Sequence, residues 1–133
     1  MNAVLRCALL TVFTAAVFFG AARADVFLDT LDDVPVMPGL TEDVDAGLVF
    51  ETAAGRIVTA RAAGVRRPGL DAGAVLSFYG ATLPALGWRA ETPSRFRRDG
   101  EVLTLAVEQD SARIGLRFDL RPAASPPASA PRP

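Results

Sequence analysis

The chain contains no histidine and no lysine; all 14 of its basic residues are Arg, and its one cysteine is Cys7. Without His, the commonest general base and metal ligand is missing. Without Lys there is no Schiff-base chemistry and no Ser–Lys activation, so Ser77, Ser94 and Ser111 have no side chain to make them nucleophilic. A lone Cys forms no intramolecular disulfide, which leaves core burial to hold the fold. Paired carboxylates are the remaining acid–base route. Glu91, Glu101 and Glu108 are its candidates, and a small carboxylate-based hydrolase is the least favoured of the functions considered. No metal site and no cofactor is implied.

Long apolar runs are confined to the beginning of the chain. Arg6 precedes the run Cys7 to Ala22, and Ala22-Arg23-Ala24 has the small-x-small pattern that signal peptidase reads. Residues 1–24 are therefore expected to be a signal peptide, cleaved after Ala24 and taking Cys7 with it. A spanning helix needs about 20 apolar residues, more than this run supplies. No integral membrane span is expected after cleavage, and the destination is read as the periplasm.

What remains is one domain's worth of chain. Its charge is segregated: Asp25 to Glu51 holds eight carboxylates and no Arg, whereas from Thr52 onward there are twelve Arg and seven carboxylates. This split predicts an acidic arm, 25–47, that either lies over a basic body, 48–121, or meets a different partner. Pro35 and Pro38 bar a continuous helix through the arm, and Val34 and Met37 are pushed to extended conformations by the prolines that follow them. Val34 to Leu40 is expected to be an extended, partly packed strap, with Phe27, Leu28 and Leu31 as its hydrophobic anchors. The clusters Asp29/Asp32/Asp33 and Glu42/Asp43/Asp45 lack the alternating ligands and Gly turn of a Ca²⁺ loop, and read as solvated acid. Residues 122–133, rich in Pro, Ala and Ser, cannot bury enough apolar surface to offset their ordering entropy and are expected to form a disordered tail.

The body carries one strong helical period. Val75, Phe78, Tyr79, Leu83 and Leu86 form a stripe with Asp71 as N-cap, Gly87 just past the end and Trp88 folding back. The Pro84 ring should clash with the Gly80 carbonyl and kink the helix. Leu48 to Thr52 and Arg56 to Ala62, joined by Ala53-Ala54-Gly55, read as a hairpin, and Trp88 to Ala90 is a short run that extends the sheet or leads into it. Asp99-Gly100 suits a type I′ turn between Arg95 to Arg98 and Glu101 to Glu108, with Phe96 opposite Leu103. After a loop over Gln109 to Ala112, pairing Glu108 with Arg113 sets Leu105 against Leu116. Both turns place Phe96, Leu103, Leu105, Val107, Ile114, Leu116 and Phe118 on one face. The expected fold class is α+β: an antiparallel sheet in the order ββαβββ, with one kinked helix packed on its apolar face.

The pattern Phe78-Tyr79-x-x-x-Leu83-Pro84-x-Leu86-Gly87-Trp88, followed by Phe96-Arg97-Arg98-Asp99-Gly100-Glu101-Val102-Leu103, resembles a group of uncharacterised exported proteins of Gram-negative bacteria. The upstream segments Val34 to Leu40 and Gly55 to Val58 look like the same group. The resemblance spans most of the chain after residue 24. It implies export and an α+β body, and brings no activity, cofactor or catalytic residue with it.

The other face of the meander would carry Arg95, Arg97, Arg113 and Arg117, with Arg121 beyond them, relieved by Glu108 and Asp119. Guanidinium forks suit phosphate and carboxylate, so these Arg are the candidate binding residues for an envelope protein or an anionic surface. The plainer alternative is a solvated sheet face, or one covered by the acidic arm. Tyr79 and Trp88 could line a small-ligand pocket between helix and sheet, although at helical spacing they also read as core and cap. Nucleic acid is a poor partner for an exported chain that is acidic after cleavage. The function expected is a non-catalytic periplasmic binding or accessory module, with a small-ligand carrier as the alternative.

Overall fold

The computed structural model describes residues 25–124. The expected signal peptide, and residues 125–133 of the expected tail, lie outside the described residues, whereas Pro122 ends the last strand and the Ala123 N–H donates to the Gly100 carbonyl, so the tail begins later than expected. Within them the order is β1 (Thr41–Glu42), a short 3-10 turn (Val44–Ala46), β2 (Leu48–Thr52), β3 (Gly55–Val65), α1 (Ala72–Ala85), β4 (Arg89–Thr92), β5 (Arg95–Arg98), β6 (Glu101–Gln109) and β7 (Arg113–Pro122). An α+β architecture is thus present, but the expected ββαβββ order is not. The strands number seven, in one antiparallel sheet ordered β1-β3-β7-β6-β5-β4, with β2 also on β3. The two added strands are β1, supplied by the segment read as a strap, and β4, the short run after Trp88.

Helix α1 starts and stops as its sequence directs. The Asp71 carboxylate accepts the Ala74 N–H at 2.9 Å, satisfying one of the donors a helix start leaves free. At the other end Gly87 adopts φ +90°, the Gly87 N–H donates to the Pro84 carbonyl and the Trp88 N–H to the Leu83 carbonyl. This is the Schellman arrangement, which only a residue tolerant of positive φ closes without strain. The helix continues through Pro84 to Ala85, so the expected kink is not shown. Val75, Tyr79 and Leu83 are buried and Phe78 is half-buried, but Leu86 is exposed: as the C-cap it has left the helical path, and Trp88 covers the core in its place.

The Asp99-Gly100 hairpin forms with the expected register, Arg95↔Thr104 through Arg98↔Glu101. The next one does not. Its turn is centred on Ser111 and Ala112, where the Asp110 carboxylate accepts the N–H groups of Ala112 and Arg113, so Glu108 faces Gly115 and Leu105 faces Phe118. The slip is two residues, and a two-residue slip keeps every side chain on its own face. Phe96, Leu103, Leu105, Ile114, Leu116 and Phe118 are all buried, with Val107 packed against them. The first hairpin closes through Ala53 and Ala54 alone, because Gly55 has joined β3 opposite Thr52, and β3 runs on to Val65.

The arm is packed more fully than the expected strap, and two of its three expected anchors, Leu28 and Leu31, are buried. Leu28, Leu31, Val34, Met37 and Leu40, spaced every third residue, are buried in the same core as the helix stripe and the inner sheet face. Phe27, the third expected anchor, is 40% exposed. The Tyr79 hydroxyl ties arm to helix, donating to the Pro35 carbonyl at 2.9 Å and accepting the Met37 N–H at 3.2 Å. Arm and helix together cover one face of the sheet. Among the described residues no layer covers the other face.

Candidate functional site

That uncovered face is set by strand alternation. Because Phe96, Leu103 and Leu116 point inward, their neighbours point out. All four candidate residues stand there: Arg95 on β5 opposite Thr104, Arg97 opposite Val102, Arg113 at the start of β7, and Arg117 opposite Ala106. The pairing brings three further Arg to the same face: Arg121 on β7, Arg61 of β3 directly across from Arg117, and Arg89 of β4 across from Arg97. Arg61 and Arg89 were legible as charges but not as members of this face, because the β3–β7 pairing was not foreseen and the run at Trp88 to Ala90 was read only as extending the sheet or leading into it.

Three carboxylates share the surface. Glu91 takes Arg97 Nε at 2.6 Å and Arg95 Nε at 2.9 Å. These hydrogen bonds, Arg97 first, hold the Glu91 carboxyl below the usual carboxylate range. Asp119 accepts Arg117 Nε at 2.8 Å and the Thr59 hydroxyl at 3.1 Å. Glu108 is exposed beside Gly115. Among the described residues Arg61, Arg89, Arg113 and Arg121 make no side-chain ion pair. The face is therefore positive, and four of its guanidiniums have forks to offer. Between Arg61 and Arg117 the small residues Ala63, Ala106 and Gly115 leave a depression of about 220 Å³, bordered by Glu108 and Asp43. The acidic arm reaches this surface only at Asp43, its buried residues being packed against the opposite face.

A second charged group sits at the inner edge of the core. Asp33 of the arm pairs with Arg98 and lies 3.8 Å from Arg56, while Arg56 grips Glu101 through Nε at 2.8 Å and Nη2 at 3.2 Å. The Glu101 hydrogen bond raises the Arg56 pKa above its ordinary value. Arg98 also lies 4.2 Å above the Trp88 ring and donates to the Leu86 carbonyl. With two acids and two Arg the group is neutral, and it closes the end of the core where arm, helix and sheet meet. Its members were separate in the sequence reading because Asp33 and Arg98 are far apart along the chain and join only through the arm's burial.

The other candidates do not come together. Glu101 and Glu108 project from opposite faces of β6, and Glu91 is engaged by two Arg, so no carboxylate pair forms. Among the described residues no group of three His, Cys, Asp or Glu is placed to hold a metal ion, and no helix is long and apolar enough to cross a membrane. Tyr79 and Trp88 are fully buried core residues rather than pocket walls. A cleft of about 580 Å³ opens instead between arm and helix, lined by Val26, Val36, Phe78 and Arg67 among others. No family model, no curated protein and no solved structure matches this chain.

Proposed function

We propose that the protein is a non-catalytic binding module of the periplasm that meets an anionic partner of the cell envelope through the uncovered face of its sheet. One observation carries this reading: an antiparallel sheet with no layer on one side among the described residues presents seven Arg against three carboxylates of its strands, with Asp43 at the border, and four of the Arg have no ion pair among the described residues. Phosphate and carboxylate groups are the complementary ligands. The signal-like segment at the start of the chain, and the resemblance to exported proteins, support the location.

The test is co-sedimentation of the chain from Asp25 with vesicles containing anionic phospholipid, and in parallel its retention by an immobilised acidic polypeptide. Binding is expected at low ionic strength, falling as salt shortens the screening length to about 10 Å near 0.1 M. Arg61→Glu combined with Arg113→Glu should reduce it to background. Failure to bind either ligand, or binding untouched by those substitutions, would remove the proposal.

The cleft between arm and helix favours a second reading, a carrier of small amphipathic ligands held by Val26, Val36 and Phe78 with Arg67 at the polar end. An apolar dye displaced by a fatty acid in the chain from Asp25, but not after Phe78→Asp, is the result this reading requires.

A further inference from the structure

The two edges of the sheet are treated differently. At one, β4 reads Arg-Ala-Glu-Thr, carries a register irregularity between Ala90 and Thr92, and places Arg89 and Glu91 on the rim. Charges and bulges of this kind discourage a further strand from adding. At the other, β2 reads Leu-Val-Phe-Glu-Thr, all five residues are exposed, and no described strand pairs with its outer side. Leu48, Val49 and Phe50 are 48, 54 and 58% exposed, apolar on both faces of the strand. Leu48 and Phe50 continue the outer surface next to Thr59 and Ile57, where β2 carries no Arg.

We infer that β2 pairs with β2 of a second copy of this chain, making a twofold dimer with one continuous sheet. The sequence matches itself in the antiparallel registers centred on Val49 and on Phe50, and with Val49 on the axis Leu48 faces Phe50 while Glu51 lies opposite Gly47. With Phe50 on the axis, Phe50 faces its own copy, Leu48 faces Thr52 and Val49 faces Glu51, so the one charge of the strand never meets itself. Centring on Glu51 instead sets two carboxylates against each other, which is unfavourable for a cross-strand pair. A second copy also supplies the alternating apolar strand that this edge requires, and the guarded rim at β4 stops the assembly at two. Antiparallel pairing across the edge puts the axis perpendicular to the sheet. Both Arg-bearing faces then lie on the same side of the dimer.

The inference rests on β2 alone and does not depend on what the Arg face binds. Sedimentation equilibrium of the chain from Asp25 is expected to show reversible monomer–dimer exchange, weak because a five-residue edge is a small interface. Phe50→Lys should raise the dissociation constant roughly tenfold or more, whereas Val65→Lys, exposed on β3 away from the seam, should leave it unchanged; unaltered circular dichroism in both excludes unfolding. Because the chain from Asp25 has no cysteine, Phe50→Cys gives a second readout: a short bifunctional thiol reagent should link Cys at this position to its own copy far faster than it links Val65→Cys. A monomer at every concentration, equal weakening by both Lys substitutions, equal cross-linking at the two positions, or open-ended growth beyond the dimer would each overturn it.

Discussion

At the scale of single residues, Tyr79 has the most to do. Its hydroxyl serves a buried carbonyl and a buried N–H of the arm at once, and its ring stands edge-on to Phe78 and Phe118. Tyr79→Phe keeps the ring and orphans both backbone groups, a loss of about 1–3 kcal/mol that urea unfolding would register. Burial also raises the phenol pKa well above its ordinary value. The unfolded chain thus ionises first as pH rises past about 10, and stability present below that pH is lost above it. The alkaline decline should be shallower in Tyr79→Phe than in the parent. Glu91 sets a residue-scale control on the Arg face. Glu91→Gln frees Arg95 and Arg97 of their carboxylate, and affinity for anionic vesicles is expected to rise about fivefold, near 1 kcal/mol for one unit of charge at a membrane surface.

At the scale of elements, the arm distinguishes a core segment from a strap laid over a finished body. Leu31 is 1% exposed, so Leu31→Ala should cost about 2–5 kcal/mol, as for other core truncations, where a surface strap would lose far less. Two glycines give a paired test. A Cβ at Gly64 of β3 would collide with the Gly39 carbonyl oxygen, so Gly64→Ala must push the arm off the sheet. At Gly80, in the helix, a Cβ meets nothing within 4 Å, and Gly80→Ala should add about 0.5–1 kcal/mol by denaturant titration. Much of this architecture was legible in the residues. Asp71, Gly87 and Asp99-Gly100 carry their own local geometry, and period-two alternation kept the inner face correct even where the pairing slipped. Of the arm, Leu28 and Leu31 were legible as anchors, but the full extent of its burial was not, because its period of three, broken by Pro35 and Pro38, belongs to neither helix nor strand. Arg95, Arg97, Arg113 and Arg117 could be placed on one face from alternation alone. Arg61 required the long-range pairing of β3 with β7, and Arg89 the local pairing of β4 with β5.

At the scale of the whole molecule, two unlike layers share one sheet. One side is closed by arm and helix, the other is open and basic, and the charge split seen along the chain becomes a split between core-covering segment and exposed surface. If β2 joins two copies, the open sides combine, and vesicle binding should steepen with protein concentration. Phe50→Asn, which changes no charge, would then weaken attachment without removing a single Arg. The burial of Trp88 beneath Arg98 has a practical consequence of its own. It is the chain's one tryptophan, so the fluorescence of a single indole, shielded from water at the junction of all three structural components, supplies a built-in optical gauge of whether that junction is intact.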